Sequence, residues 1–395
     1  MITKKLSTVG CIVLSLVLIL GCFITPAKAE ATPFSSLSDW MGDLDLDTPI
    51  TEINIPGTHD TAMFGIGSGI FEGAGFAHNQ DLTFAEQLAI GVRFFDGRFC
   101  YVKEGNKDET ENIFCCHGGF IPEMNDKDIS LKDMLNEMNK FLDAHPTEFI
   151  FLSYKCESEE DMDSMQLNNL LSKIFYDLAE TNFERYMIAR PGDPVPTLNR
   201  AKGHIVASIN SNNGIFSDYC SIANSWSSGT DVKVKELSEV FSDVRPLEKS
   251  PRNFTAKSDN LAKRGRAPRV IHTSCYQAPF RTPARTSADI FQWILGKVDS
   301  LDGVTHPTFH QGYYYGIILF DYVKEEECRL IIGLNNPQGT ESYEPELGEP
   351  PLPPTASILG DAENTISICI IAVVLAAAVT FVVVTVIRKR RKPNN

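Results

Sequence analysis

Two imidazoles are spaced along this chain among carboxylates and one guanidinium: Ile55-Pro56-Gly57-Thr58-His59-Asp60, then Phe94-Phe95-Asp96-Gly97-Arg98, then Cys116-His117-Gly118-Gly119. One imidazole can accept a proton while the other delivers one, and a guanidinium can hold the charge of a phosphate between them. The combination suits phosphodiester chemistry without a metal ion.

Residues so far apart in sequence can act together only if the fold gathers them. Apolar, β-branched and aromatic runs predict strands near Ile53–Ile55, Val92–Arg98, Ile113–His117, Phe149–Lys155, His204–Asn210, Arg269–Ser274 and Gly316–Val323. Helical spacing predicts helices near Phe84–Ile90, Leu131–Ala144, Asp161–Glu180 and Ser287–Asp299, the second opened by a Ser130-x-x-Asp133 capping box and stopped by Pro146. Strands alternating with helices imply an α/β fold with a parallel sheet, and this number of them in one domain favours a single TIM-type β/α barrel. In a barrel, function gathers where strands give way to the following loops. His59, Arg98, His117, Lys155 and Asn210 all fall at or just after such ends, and Asp321 lies late in the last strand.

The two termini carry addresses. Residues 1–29 combine Lys4 and Lys5, an apolar stretch and Ala27-Lys28-Ala29, the pattern of a secretory signal peptide. Ile366 to Ile387 is an apolar run of membrane-spanning length, followed by a basic tail, 388–395, of the kind kept on the cytoplasmic side. The domain plan is therefore a signal peptide at 1–29, a catalytic barrel at 33–335, a Pro-rich stalk at 336–365, a transmembrane helix at 366–387 and the tail. Leu352-Pro353-Pro354-Thr355-Ala356 before that helix resembles the cell-wall sorting signal of Gram-positive surface proteins. That resemblance implies a sortase that cuts between Thr355 and Ala356 and joins the protein to peptidoglycan; a plain single-pass anchor with a Pro-rich stalk is the alternative. Either way the catalytic part faces outward.

The net charge of −15 argues against nucleic acid and against broad electrostatic adsorption to anionic lipid. Of ten cysteines, seven lie in the body of the chain, without the spacing of a zinc site or of a disulfide framework. Most suit small buried positions, and a bridge or two is compatible with export.

Over about Trp40 to Val323 the chain resembles bacterial phosphatidylinositol-specific phospholipase C, the metal-independent branch of the X-domain phosphodiesterases. The likeness rests on Pro56-Gly57-Thr58-His59-Asp60, on Gln87-Leu88 with Gly91-Val92-Arg93-Phe94-Phe95-Asp96-Gly97-Arg98, and on His117-Gly118. It continues in Phe141 to Ile150 and Gly316 to Tyr322. The resemblance implies that the inositol 2-hydroxyl attacks its own phosphorus, releasing diacylglycerol and a cyclic inositol phosphate. It assigns His59 as general base with Asp321 orienting it, His117 as general acid with Asp60 as partner, Arg98 as the cation facing the phosphoryl oxygens, and Asp96 as an aligning group. Lys155 and Glu157 match the family's inositol-binding Lys-x-Glu, and Trp226 stands where the family stacks an aromatic on the inositol ring. An arginine usually follows the strand ending near Asn210; here Asn210 or Asn212 stands instead, which leaves head-group preference open.

No cofactor and no metal are expected, because two carboxylates beside a guanidinium make a poor cage for a hard cation. The expected partner is phosphatidylinositol or a glycosyl-phosphatidylinositol lipid in a membrane, with the enzyme a monomer. Two other readings stay open: a metal-dependent glycerophosphodiesterase or sphingomyelinase D-like phospholipase, and an inactive surface-anchored module that binds lipid or glycan. His78, His145, His204, His272, His306 and His310 lack the company of such motifs in family order, and ordinary surface or core roles suit them better.

Overall fold

The computed structural model describes residues 34, 36–66, 74–188, 195–209, 229–242, 244–246, 270–274 and 282–335. All of them fall in one compact unit, Met1–Tyr343, while Glu344–Asn395 forms a second unit that lies outside the described residues. The signal peptide, stalk, sorting motif and membrane-spanning stretch expected from sequence, together with Asn210, Asn212 and Trp226, also lie outside them. Among the described residues no helix is long and apolar enough to cross a membrane.

The strands that position the site are β1 (Ile55–Thr58), β2 (Phe94–Tyr101), β3 (Ile113–Cys115), β4 (Ile150–Cys156), β5 (Tyr186–Ile188), β6 (Ile205–Ile209), β7 (Val270–His272) and β8 (Ile317–Phe320). Among the described residues the helices of six residues or more are α1 (Phe84–Ala89), α2 (Leu131–Ala144), α3 (Ser164–Thr181), α4 (Gly229–Ser242), α5 (Pro283–Ile294) and α6 (Glu325–Gly333). The sheet runs β5-β6-β4-β2-β1-β8-β7 with every described neighbour on that path parallel, and β3 pairs antiparallel against the outer end of β2. This is the α/β fold with a parallel sheet that strand and helix alternation predicts; among the described residues β5 and β7 do not pair to close it.

Several boundaries differ from expectation for physical reasons. β1 runs Ile55–Thr58 rather than Ile53–Ile55, straight through Pro56 and Gly57, because it is clasped in parallel between β8 and β2. Gly57 is required there: a Cβ would lie 2.4 Å from Leu319 Cδ2 and 3.0 Å from Phe94 Cβ. The Ile113–His117 segment is not a barrel strand; it folds back as β3 and stops at Cys115. β8 ends at Phe320, so Asp321 is the first residue after the strand rather than within it. β5, α4 and α6 were not expected, being short or weakly periodic.

Local chemistry sets the helix starts. Ser130 and Asp133 form the expected capping box of α2, Asp163 caps α3 by accepting from Gln166 N, and Thr83 with Glu86 boxes α1. α5 opens at Pro283, earlier than Ser287, because proline fits the first helical turn. Arg93 is fully buried, paired to Glu148 at 2.9 Å and donating to the carbonyls of Leu88, Val92, Leu37 and Ser38. It ties the segment before β1 to the base of β2.

Candidate active site

Some of the chemical groups sit just after a strand and others within one. His59 and Asp60 follow β1, Asp321 follows β8, and Asp96 and Arg98 alternate along β2 so that both point to one face. The register of β2 with β4 sets Arg98 beside Lys155, and Glu157 N donates to Phe99 O just beyond β4. His117 arrives by a different route: β3 runs antiparallel to β2, and Cys116 N donates to Arg98 O at 2.9 Å, bringing the next residue to the same mouth.

The turn after β1 is locked to β2. Thr61 N donates to Asp96 O and Asp96 N donates to Thr61 Oγ1, while Asp60 takes a left-handed backbone, φ 45°, that aspartate tolerates better than most residues. Buried Gln80 donates through one amide nitrogen to His59 O at 2.7 Å and Phe320 O at 2.9 Å, tying the ends of β1 and β8 together. Asn79 donates to Asp321 Oδ1 at 3.2 Å, and Ser287 of α5 donates to the Asp321 carbonyl at 2.5 Å.

Arg98 is the hub. Its Nε lies 2.5 Å from Asp60 Oδ1 and 3.0 Å from Asp96 Oδ2, its Nη1 3.3 Å from Glu157 Oε1, and its Nη2 2.6 Å from His59 Nε2. A guanidinium only donates, so His59 Nε2 accepts; the hydrogen therefore sits on Nδ1, 2.8 Å from Asp321 Oδ1. His117 meets Glu157 Oε1 at 3.1 Å and Asp60 Oδ2 at 3.4 Å, both through Nδ1, and its Nε2 has no hydrogen-bond partner among the described residues. Asp60 Oδ2 lies 3.4 Å from both His59 Nε2 and His117 Nδ1, so the two rings flank one carboxylate and one guanidinium.

Electrostatics sharpen these roles. Burial alone would lower Arg98, but Asp60, Asp96 and Glu157 raise it above its ordinary value and keep it charged. Burial would raise Asp96, yet Arg98 and then Lys155 hold that carboxyl well below the carboxylate range. Glu157, raised by burial, is drawn down to about 2 by the His117 hydrogen bond and the charges of Arg98 and Lys155. His117 is lowered by burial and raised more by Asp60 and by the hydrogen bond to Glu157, so its net shift is upward.

His59, Asp60, Asp96, Arg98, His117 and Asp321 are thus one cluster, with Lys155 and Glu157 at its edge. Two expectations change. The carboxylate nearest His117 is Glu157 rather than Asp60, and Glu157 is an internal partner of His117, Arg98 and Lys155. His272, expected in an ordinary surface or core role, packs against the cluster: β7 sets its ring edge-on to His59, with centroids 5.6 Å apart. Asn79 and Gln80 were missed as well; two amides following His78 were the only signal, and neither contact is local. Tyr314 and Tyr315 are buried.

His59, Asp60 and Asp96 place ligand atoms within 4.8 Å of one another, a spacing that a metal ion could use. The Arg98 guanidinium is already paired to both carboxylates. A divalent cation there would face that fixed positive charge with few oxygen donors, so the set does not fit one.

Residues 48–187 match the family model described as PI-PLC X 1. The 1-phosphatidylinositol phosphodiesterase of Staphylococcus aureus strain Newman is 30% identical over 181 residues, 46% of this chain and 53% of the relative. That of Listeria monocytogenes is 25% identical over 171 residues, 42% and 47%. Human PI-PLC X domain-containing protein 2 is 28% identical over 156 residues, 34% and 48%. The chain thus spans about half the length of the curated relatives it matches. Among solved structures, a variant phosphatidylinositol-specific phospholipase C from S. aureus superposes with a TM-score of 0.55 at 19% identity, covering 76% of this chain and 97% of that one. The Listeria monocytogenes enzyme gives 0.53 at 19% identity, covering 76% and 99%. These superpositions establish likeness of fold, and the sequence matches establish that the chain has PI-PLC X homology over residues 48–187 and is related to the bacterial phosphatidylinositol-specific phospholipases C.

Proposed function

We propose that this chain cleaves phosphatidylinositol to diacylglycerol and a 1,2-cyclic inositol phosphate by general acid and base catalysis that needs no metal. The observation that carries this reading is the Arg98 guanidinium held against His59 Nε2 on one side and 3.4 Å from His117 Nδ1 on the other, with Asp321 behind His59.

The nucleophile belongs to the substrate, so the protein needs only to position and to move protons. His59, with its hydrogen held on Nδ1 by Asp321, presents Nε2 to the inositol 2-hydroxyl and takes its proton as oxygen closes on phosphorus. His117, kept protonated by Glu157 and Asp60, delivers a proton through Nε2 to the departing glycerol oxygen. Arg98 faces the non-bridging oxygens, whose charge grows in the transition state. Each proton transfer contributes roughly 10²- to 10⁴-fold, and a preorganised cation roughly 10²- to 10³-fold. Lys155 and Glu157 lie at the edge where inositol hydroxyls would bind, and Trp226 is proposed to stack on that ring.

A metal-dependent phosphodiesterase is the second reading; the spacing of His59, Asp60 and Asp96 is its one support, and the Arg98 guanidinium paired to both carboxylates speaks against it. The rest of the proposal places the catalytic domain outside the cell, exported by the N-terminal signal and retained through the sorting motif by a sortase or through the membrane-spanning stretch, acting as a monomer.

The test incubates the purified full chain, in detergent, with phosphatidylinositol vesicles in EDTA and follows cyclic inositol phosphate by phosphorus NMR. Cyclic product formed at the same rate with and without chelator is expected. Turnover lost in EDTA and restored by a divalent ion selects the second reading; binding to the vesicles with no product, unchanged in His59→Ala, selects a lipid-binding module.

A further inference from the structure

The hairpin that brings Arg98 and His117 together also carries three cysteines that the proposed reaction does not use, Cys100, Cys115 and Cys116, all buried and unbridged. Cys100 stands opposite Phe114 and Phe99 opposite Cys115 in the β2–β3 ladder, and Cys116 continues it through its bond to Arg98 O. Side chains alternate along a strand, so Cys100, Phe114 and Cys116 share one face and Cys115 points to the other. On that face the three form a buried cluster of their own, apart from the main core, with Val102 and Ile121 packed around it. Inside it Cys100 and Cys116 stand diagonally across the two strands, Cys100 opposite Phe114 and Cys116 two residues beyond it, close enough for the Cys100 thiol to shift the Cys116 pKa.

We infer that Cys100 and Cys116 are a disulfide-forming pair, oxidised during folding by exchange with a low-molecular-weight disulfide, and that the bridge clamps the hairpin that holds Arg98 and His117. In the first step the Cys100 thiolate attacks one sulfur of the reagent; the reagent's S–S bond breaks and one reagent thiolate leaves. In the second, the Cys116 thiolate attacks the Cys100 sulfur of the mixed disulfide and expels the other reagent thiolate. The protein gives up two electrons and two protons, and the reagent departs as two thiols.

Closure belongs to folding rather than to the finished structure. In the fold the neighbouring Cys100 thiol, together with burial, raises the Cys116 thiol far above its ordinary value, leaving little thiolate to attack. Cys115 faces away, and the Cys156 thiol is directed to the Ser158 carbonyl at 3.5 Å. The inference is independent of which reaction the site performs.

The full chain, in detergent, is reduced, unfolded in urea and refolded with a mixture of oxidised and reduced glutathione, then alkylated under denaturing conditions and mapped by mass spectrometry. The expected result is a Cys100–Cys116 cross-linked peptide with Cys115, Cys156 and Cys328 alkylated, and a Tm above that of the same protein refolded in reductant. In Cys100→Ser and in Cys116→Ser the cross-link is absent and the Tm no longer depends on reductant. Should either variant fail to fold, the wild-type map still decides. Alkylation of both Cys100 and Cys116 after oxidative refolding, or a bridge from either to another cysteine, overturns the inference.

Discussion

The Nη2 of Arg98 lies 2.6 Å from the Nε2 of His59, and because a guanidinium has no lone pair to offer, this contact defines the tautomer of the imidazole. The nitrogen facing Arg98 is unprotonated, as a base requires. In the proposed reaction a substrate phosphate drawn to Arg98 would meet the lone pair of His59 in the same small volume.

Asp321→Asn removes the acceptor that holds the His59 hydrogen on Nδ1 while keeping the volume of the side chain. A fall in kcat of about 10²- to 10⁴-fold is expected with KM changed little, since the ring loses its orientation and the stabilisation of its charged form. A loss under tenfold in steady-state turnover of phosphatidylinositol removes His59 from the role of base.

Arg98→Lys keeps one positive charge but cannot reach Asp60, Asp96, Glu157 and His59 at once. Its kcat should fall about 10²- to 10³-fold. Arg98→Ala leaves three carboxylates without their shared cation and should also cost about 3 kcal/mol or more of stability, read from urea unfolding beside wild type. Equal stability of the two variants contradicts the part Arg98 plays in balancing that charge.

Glu157→Gln tests the pH limb that belongs to the acid. The His117 shift is upward, so its protonated form is present below its folded pKa and is lost as pH rises through it. Replacing Glu157 removes one of the upward contributions, so the His117 pKa drops and the alkaline limb of kcat/KM moves to lower pH. An alkaline limb that stays in place, with full folding by circular dichroism, assigns the proton to another group.

Glu327 offers a stability test away from the chemistry. It is 1% exposed in the first turn of α6, accepts from Lys324 N at 2.8 Å, and burial pushes its pKa up to about 8. The folded protein then holds a proton that the unfolded chain, near the ordinary value of 4.5, releases. Stability from this group is complete below that value and declines as pH rises toward about 8, by an amount on the order of 5 kcal/mol. Glu327→Gln should flatten the decline between pH 5 and 9 in urea midpoints; parallel curves for the two proteins count against a buried neutral carboxyl.

Much of the site was legible because short-range patterns carry it. A strand rich in β-branched and aromatic residues that stops at a polar residue marks a sheet end, and that logic put Lys155 within one residue of the end of β4, while Arg98 lies within β2, three residues before its end at Tyr101. It placed Asp321 within a strand that in fact ends one residue earlier, and it misplaced β1, because Pro56 and Gly57 read locally as a break while two parallel neighbours hold them extended. His272, Asn79 and Gln80 carried no usable signal, since their partners His59, Asp321 and Phe320 are remote in the chain.

The order of residues along the chain determined the chemical inventory of this protein: two imidazoles, one shared guanidinium, the carboxylates that tune them, and the alternation of strand and helix that makes a parallel sheet. The tertiary structure alone decided how that inventory is wired. Antiparallel β3 carries His117 back to Arg98, Glu157 is its nearest carboxylate, and Cys100 and Cys116 come to share one buried face. Propensity and spacing act over a few residues, whereas pairing register and side-chain contact are settled by the packing of segments far apart in sequence.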